Sequence, residues 1–198
     1  MAEVTATARV FFALWPDETL RQALNQASDL LHQVHGGRRT KPDTLHLTLL
    51  FVGSLERDRL PELQAAAAHI QLPRFEVAFD RVDCWRHNRI GFLTASQPPA
   101  GLFDLVQALE AQVSEAGIAF DRRPYKPHIT LLRNADCKNA VSVQANVDEV
   151  EVKRSGRKQK SKPALAPILW AARDFVLVES SLDSNGASYR EIARWPLL

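Results

Sequence analysis

The sequence predicts an α+β fold built twice. Two lobes with antiparallel sheets flank a central cleft, with helices on the outside and an approximate two-fold axis between the halves. Three observations lead there. A short phrase occurs twice, His46-Leu47-Thr48-Leu49-Leu50 and His128-Ile129-Thr130-Leu131-Leu132, each inside an apolar run suited to a β-strand. The same order leads to each copy: strand, helix, basic loop with proline, His-x-Thr strand. Several strands are joined by tight turns, which favours antiparallel sheets over a doubly wound parallel one.

The chain has 198 residues, enough for one domain or two small lobes sharing an interior. The expectation is a single two-lobed domain over 1–198 with a basic insertion at about 134–167. Net charge is +2, so bulk charge announces no nucleic-acid partner. No stretch has the length of a membrane span. Cys84 and Cys137 follow no metal or redox spacing and read as two reduced thiols. The expectation is a cytoplasmic protein, away from membranes, acting as a monomer.

In chain order, residues 1–8 read as a frayed start and Arg9–Trp15 as a strand. Pro16-Asp17-Glu18 opens a helix, with Leu20, Leu24, Ala27, Leu30, Leu31 and Val34 at helical spacing. His35-Gly36-Gly37 ends it. Arg38–Asp43 is a basic loop into the first His-x-Thr strand, Leu45–Val52. Gly53–Glu56 turns into a second helix carrying Leu60, Leu63, Ala67 and Ile70. Phe75–Trp85 alternates and reads as one strand, and Arg86–Arg89 as a hairpin turn into Ile90–Ala95. Leu102–Ala116 is a third helix, ended by Gly117. Phe120–Pro127 is a second basic loop, before the second His-x-Thr strand.

Residues 134–167 break the repeat. Six of the ten residues Lys153–Lys162 are basic; the run reads as a solvated excursion between strands, with phosphate contact as the other possibility. A strand near Phe175–Ser180, a turn at Asp183–Gly186 and a last strand at Tyr189–Trp195 close the chain.

In a strand, residues i and i+2 share a face, so His46 points with Thr48 and His128 with Thr130. The intervening Leu47, Leu49, Ile129 and Leu131 point into the core. One such pair would read as a satisfied core histidine; two copies with the same offset do not. Two histidines are too few for a closed zinc site, and no Cys, Asp or Glu sits at a completing offset. No Gly-x-Ser-x-Gly elbow and no phosphate-cradling Gly-rich loop occurs.

Acid–base chemistry remains. One imidazole accepts a proton while another donates one. In-line displacement at phosphorus needs such groups on opposite sides. The hydroxyls of Thr48 and Thr130 would hold the non-bridging oxygens. Arg38, Arg39, Lys41, Arg122, Arg123, Lys126 and Arg133 would line the approach. No cofactor is called for. His32, His35, His69 and His87 read as surface residues, and Trp15, Trp85, Trp170 and Trp195 as core or lobe-interface residues.

These residues carry a resemblance. Arg9–Leu14, Leu45–Gly53, Lys126–Arg133 and the tail, Phe175–Ser180 with Tyr189–Leu197, resemble the two-histidine phosphoesterase superfamily, in its bacterial RNA 2′,3′-cyclic phosphodiesterase branch, also called 2′-5′ RNA ligase. The resemblance covers nearly all the chain outside 134–167. It implies metal-free hydrolysis of RNA ends bearing a 2′,3′-cyclic phosphate to 2′-phosphomonoesters. It implies His46 as proton donor and His128 as proton acceptor, an order that the near-equivalent motifs do not reveal. It also implies that Phe51 stacks on a base and Arg133 contacts phosphate. Lys126 and Tyr125 complete the substrate-binding candidates. The alternatives are joining of RNA ends through a 2′-5′ linkage and non-catalytic RNA binding in the same cleft.

Phe51 and Arg133 each lie five residues after their histidine. An ideal strand would turn them away from it. Either each strand ends or bulges first, or Phe51 is core and Arg133 lies on an outer surface.

Overall fold

The computed structural model describes residues 6–137, 143–144, 166–183 and 186–198. The basic run Lys153–Lys162 lies outside them, as does the middle of the turn expected at Asp183–Gly186.

The first strand, β1 (Thr7–Leu14), starts earlier than expected, because Thr7 and Ala8 pair with Glu56 and Leu55. Helix α1 (Glu18–His35) begins where Asp17 accepts a hydrogen bond from the Leu20 amide at 2.8 Å. Its buried face is Leu24, Ala27, Ser28 and Leu31. Leu30 and Val34, expected on that stripe, are exposed at its edge.

Arg38–Arg39, expected as loop, forms a short strand, β2. Gly37 makes this possible. Its φ is +81°, and a Cβ there would stand 2.7 Å from the Arg133 carbonyl oxygen. Strand β3 (Leu47–Glu56) runs on through Gly53–Glu56, expected as a turn. Helix α2 (Leu60–Ala68) follows.

The expected single strand over Phe75–Trp85 is two, β4 (Phe75–Phe79) and β5 (Arg81–Trp85), in different sheets. Asp80 marks the break, its carboxylate accepting from the Ser96 amide at 2.7 Å. The hairpin through 86–89 leads to β6 (Ile90–Thr94). Helix α3 (Ala100–Glu115) and strand β7 (Ile129–Arg133) complete the second half. The remaining strands are β8 (Val143–Gln144), β9 (Ile168–Ala172), β10 (Asp174–Asp183) and β11 (Gly186–Pro196). Strand β9 was not expected.

Two antiparallel sheets result, β11-β10-β1-β3 and β2-β7-β6-β5-β8, with β4-β9 as a separate pair. This is the expected two-lobed α+β architecture. The lobes exchange elements. Helix α1 follows a strand of the first sheet yet packs on β7 of the second; α3 follows β6 of the second yet packs on β3.

The loops exchange in the same way. The basic segment before His46 covers the edge of β7: Arg38 lies opposite Arg133, and the Thr40 amide donates to the Leu131 carbonyl at 2.8 Å. The basic segment before His128 covers the edge of β3: the Asp121 amide donates to the Phe51 carbonyl at 2.9 Å, and the Tyr125 hydroxyl to the Thr48 carbonyl at 3.2 Å. Each motif strand is therefore shielded at its edge by the loop that introduces the other motif, which satisfies backbone groups an edge strand would leave open. One buried apolar cluster runs through both halves, from Val10 and Leu47 to Leu105 and Ile129.

Cys84 and Cys137 are not free thiols. They form a disulfide, with Cα atoms 5.8 Å apart. Residues after β7 fold back under the 86–89 hairpin: the Ala135 amide donates to the Arg89 carbonyl and the Asp136 amide to the His35 carbonyl. That return brings Cys137 to Cys84 across 53 positions of sequence, a proximity that local spacing does not encode.

Candidate active site

His46 and His128 stand immediately before β3 and β7, one from each sheet. Both face a cleft of about 450 Å³, which Thr48 and Thr130 also line. Each ring is held in the same way. The His46 Nδ1–H donates to the Thr44 carbonyl at 2.7 Å, and the His128 Nδ1–H to the Lys126 carbonyl at 2.8 Å. This fixes the tautomer and leaves each Nε2 to the cleft. His46 Nε2 lies 3.0 Å from Thr48 Oγ1.

The five-residue offset is resolved by a bulge in each strand. On β3, Thr48 lies opposite Ala13 and Leu50 opposite Phe12, so Leu49 is an extra residue; Phe51 then lies opposite Phe11. Ala13 and Phe11 share a face, so Thr48 and Phe51 do as well. On β7, Thr130 lies opposite Phe92 and Leu132 opposite Gly91, so Leu131 is the extra residue, and Arg133 returns to the face of Thr130. Both Phe51 and Arg133 line the cleft. The bulged Leu131 carbonyl accepts from both the Thr40 amide, at 2.8 Å, and the Ser28 hydroxyl, at 3.1 Å. Ser28 is fully buried and has this bond as its satisfaction.

The cleft is cationic. Arg9, Arg38, Arg39, Lys41, Arg123 and Arg133 line it, and no carboxylate does among the described residues. Some of this charge is tethered outward: Arg39 pairs with Asp29, and Arg123 with Asp121. Arg9 instead lies over the Phe51 ring, 5.0 Å from its centroid. Arg38 and Arg133 face each other across β2 and β7, a like-charge pair that an anion between them would relieve.

Burial pushes both imidazoles below the ordinary histidine value. His46 is lowered to about 4, chiefly by burial and further by the nearby positive charge of His128 and Arg133, against the opposing bond to Thr44. His128 is lowered by burial, opposed by its bond to Lys126.

Two expected contact residues lie elsewhere. Tyr125 is turned inward, its hydroxyl on Thr48 and its ring edge-on to Phe103; burial raises its phenol well above the usual value. Lys126 is exposed and meets the site through its carbonyl. Neither lines the cleft. Sequence reading missed the aromatic residues around the histidines. Phe11, Trp15 and Tyr189 surround His46, with centroids at 4.9, 5.4 and 5.3 Å. Trp85 and Phe92 flank His128 at 4.5 and 5.7 Å. Trp15 and Trp85, expected as core or interface, are thus partners of the histidines. Trp15 directly follows β1 and Trp85 ends β5, positions that carry no local signal of this role. Among the described residues no cluster of three or more His, Cys, Asp or Glu stands together as a metal site.

A duplicated α+β fold with one His-x-Thr strand per lobe, meeting at a basic cleft, defines a phosphoesterase of the two-histidine class. The chain belongs to the LigT-like phosphoesterase family, whose model matches it twice, over residues 14–92 and 93–189. These two matches correspond to the two halves. It is 29% identical to the RNA 2′,3′-cyclic phosphodiesterase of Escherichia coli over 189 residues, 96% of each chain. It is 28% identical to that of Thermus thermophilus, covering 96% of this chain and 90% of the relative. The crystal structure of E. coli LigT complexed with 3′-AMP superposes with a TM-score of 0.75 at 28% identity, covering 97% of this chain and 99% of that one.

Proposed function

We propose that the protein hydrolyses RNA 2′,3′-cyclic phosphate ends to 2′-phosphomonoesters by metal-independent acid–base catalysis. The observation that carries this reading is the matched pair of imidazoles, each with Nδ1 on a carbonyl two residues before it and both lining one cationic cleft. Water attacks phosphorus and gives its proton to His128 Nε2. The bond from phosphorus to O3′ breaks, and His46 Nε2 gives its proton to the departing oxygen. Thr48 and Thr130 donate to the non-bridging oxygens as charge builds there. Arg133 binds the phosphate and Phe51 stacks on the terminal base.

His46 must be protonated to act as donor. At a value of about 4 it would be charged in roughly one molecule in a thousand at pH 7. The anionic phosphate beside it raises that fraction on binding. Tyr125 acts indirectly, by holding the Thr48 carbonyl, and Lys126 through its carbonyl on His128.

Residues 1–198 are read as one two-lobed domain with a basic insertion at about 134–167. The exchange of α1 and α3 between the lobes and the shared core support this. A monomer suffices, since one chain supplies both histidines. No helix among the described residues is long and apolar enough to cross a membrane. A cytoplasmic site follows from the proposed RNA substrate; the Cys84–Cys137 bond removes the support that free thiols would have lent it.

The test is incubation with an oligonucleotide ending in a 2′,3′-cyclic phosphate, with and without chelator. A 2′-phosphate product, lost in His46→Ala and in His128→Ala with the fold intact, is expected. Full activity in either variant overturns the reading, a 3′-phosphate reverses the orientation, and joined RNA ends would reveal ligation.

A further inference from the structure

Among the described residues the donor histidine has no acidic partner. Among the described residues lining the cleft there is no carboxylate. Among the described residues, the groups facing His46 are the Thr44 carbonyl, the Thr48 hydroxyl, two cationic or ionisable neighbours (Arg133 and His128) and three aromatic rings. Burial and both neighbours oppose its protonation. The Thr44 carbonyl favours it, and the Thr48 hydroxyl oxygen can accept from Nε2–H of the charged ring.

The rings are arranged for this. Trp15 lies parallel to the imidazole, with 7° between the planes and centroids 5.4 Å apart. Phe11 is tilted by 35° at 4.9 Å, and Tyr189 stands edge-on at 83° and 5.3 Å. Tyr189 also meets the other two rings, Phe11 at 5.3 Å and Trp15 at 6.1 Å. His128 differs. Trp85 and Phe92 both meet it edge-on, at 63° and 73°, and no ring stacks on it among the described residues. An aromatic face carries negative potential and attracts a cation, and indole does so most strongly. Stacking by Trp15 therefore favours the imidazolium at His46.

We propose that Trp15, with Phe11 and Tyr189, forms an aromatic cage that stabilises the protonated form of His46 in place of a carboxylate. The proposal rests on the acid–base reading above and assigns Trp15 and Tyr189 as positioning residues. The two nearly equivalent motifs thereby acquire different surroundings from residues outside them.

The test is an NMR titration of the histidine side chains in the substrate-free protein, comparing wild type with Trp15→Leu, Tyr189→Leu and Trp15→Phe. The Trp15→Leu variant should lower the His46 pKa by about half a unit or more, and Tyr189→Leu should act in the same direction. Trp15→Phe, which keeps a ring face, should restore most of the shift. If the rings were only an apolar wall, their removal would hydrate His46 and raise its pKa. A rise, or no change, in whichever leucine variant remains folded overturns the proposal. The kcat for a 2′,3′-cyclic mononucleotide should fall in the leucine variants, as less of His46 is charged, and recover in Trp15→Phe, with KM little changed. Because the titration needs no substrate, failure of the cage and failure of the proposed reaction are read separately.

Discussion

Thr48 and Phe51 face the same cleft although three positions separate them along β3. The extra residue at Leu49 turns the strand once more, and Leu131 does the same between Thr130 and Arg133 on β7. Each lobe thereby presents a histidine, a threonine and a third group. The third group is a ring in one lobe and a guanidinium in the other, which suits a ligand with a base at one end and a phosphate at the other. Phe51→Ala should raise KM for a nucleoside cyclic phosphate by about 5- to 100-fold. Arg133→Ala should lower kcat/KM by at least about tenfold. Steady-state kinetics on both variants checks this; equal losses on a base-free cyclic phosphate would remove the stacking role from Phe51.

The pH–rate profile should be bell-shaped, with both limbs of kcat/KM on the acid side of the ordinary histidine value. Burial lowers both His46 and His128, so the free protein loses both protons below 6.5. Bound phosphate favours the His46 imidazolium, so the alkaline limb of kcat should lie at higher pH than that of kcat/KM. Coincident limbs would show that the anion does not recharge His46.

Stability should also respond to His46. Its folded value, about 4, lies below the unfolded value of 6.5. Between these the unfolded chain binds more protons, so stability is lost as pH falls from about 6.5 towards 4. Urea midpoints for wild type should fall more steeply across that window than those of His46→Gln.

Gly37 lets β2 approach β7. Alanine there would combine a left-handed backbone with a Cβ 2.7 Å from the Arg133 oxygen and 2.9 Å from the Ala135 nitrogen. Gly37→Ala should cost about 1–3 kcal/mol in urea unfolding, with a rise in KM because Arg38 and Arg133 lose their register. Unchanged stability would mean that β2 is dispensable.

Reduction of the Cys84–Cys137 bond should lower stability by about 3–4 kcal/mol, given the loop it closes. Trp85, next to Cys84, packs on His128, so turnover should fall along with stability. Urea unfolding and kinetics with and without a dithiol reductant, against a Cys84→Ser variant, measure both; identical midpoints would refute the prediction.

Much of the fold is legible locally. The start of α1 near Pro16-Asp17-Glu18 and its Leu24, Ala27, Leu31 stripe follow from short-range rules. So do the three helices and the placement of His46 with Thr48 and His128 with Thr130, since period and capping reach only a few residues. The division of Phe75–Trp85 was hidden, because both pieces alternate alike and only sheet membership separates them. Strand β2 was hidden too, since two arginines carry no strand signal and pair only because β7 offers an edge. Trp15 and Trp85 looked like core because sequence shows that a ring needs cover but not which ring covers it.

By itself the sequence determined the duplication and the two His-x-Thr strands, because these are patterns within single segments. Only the tertiary structure decided what surrounds them: the two bulges that bring Phe51 and Arg133 into the cleft, the exchanged helices and loops, the cysteine pair, and the rings that distinguish His46 from His128. Each of these depends on register between strands far apart in sequence. That register is set by packing the whole core rather than by any local preference.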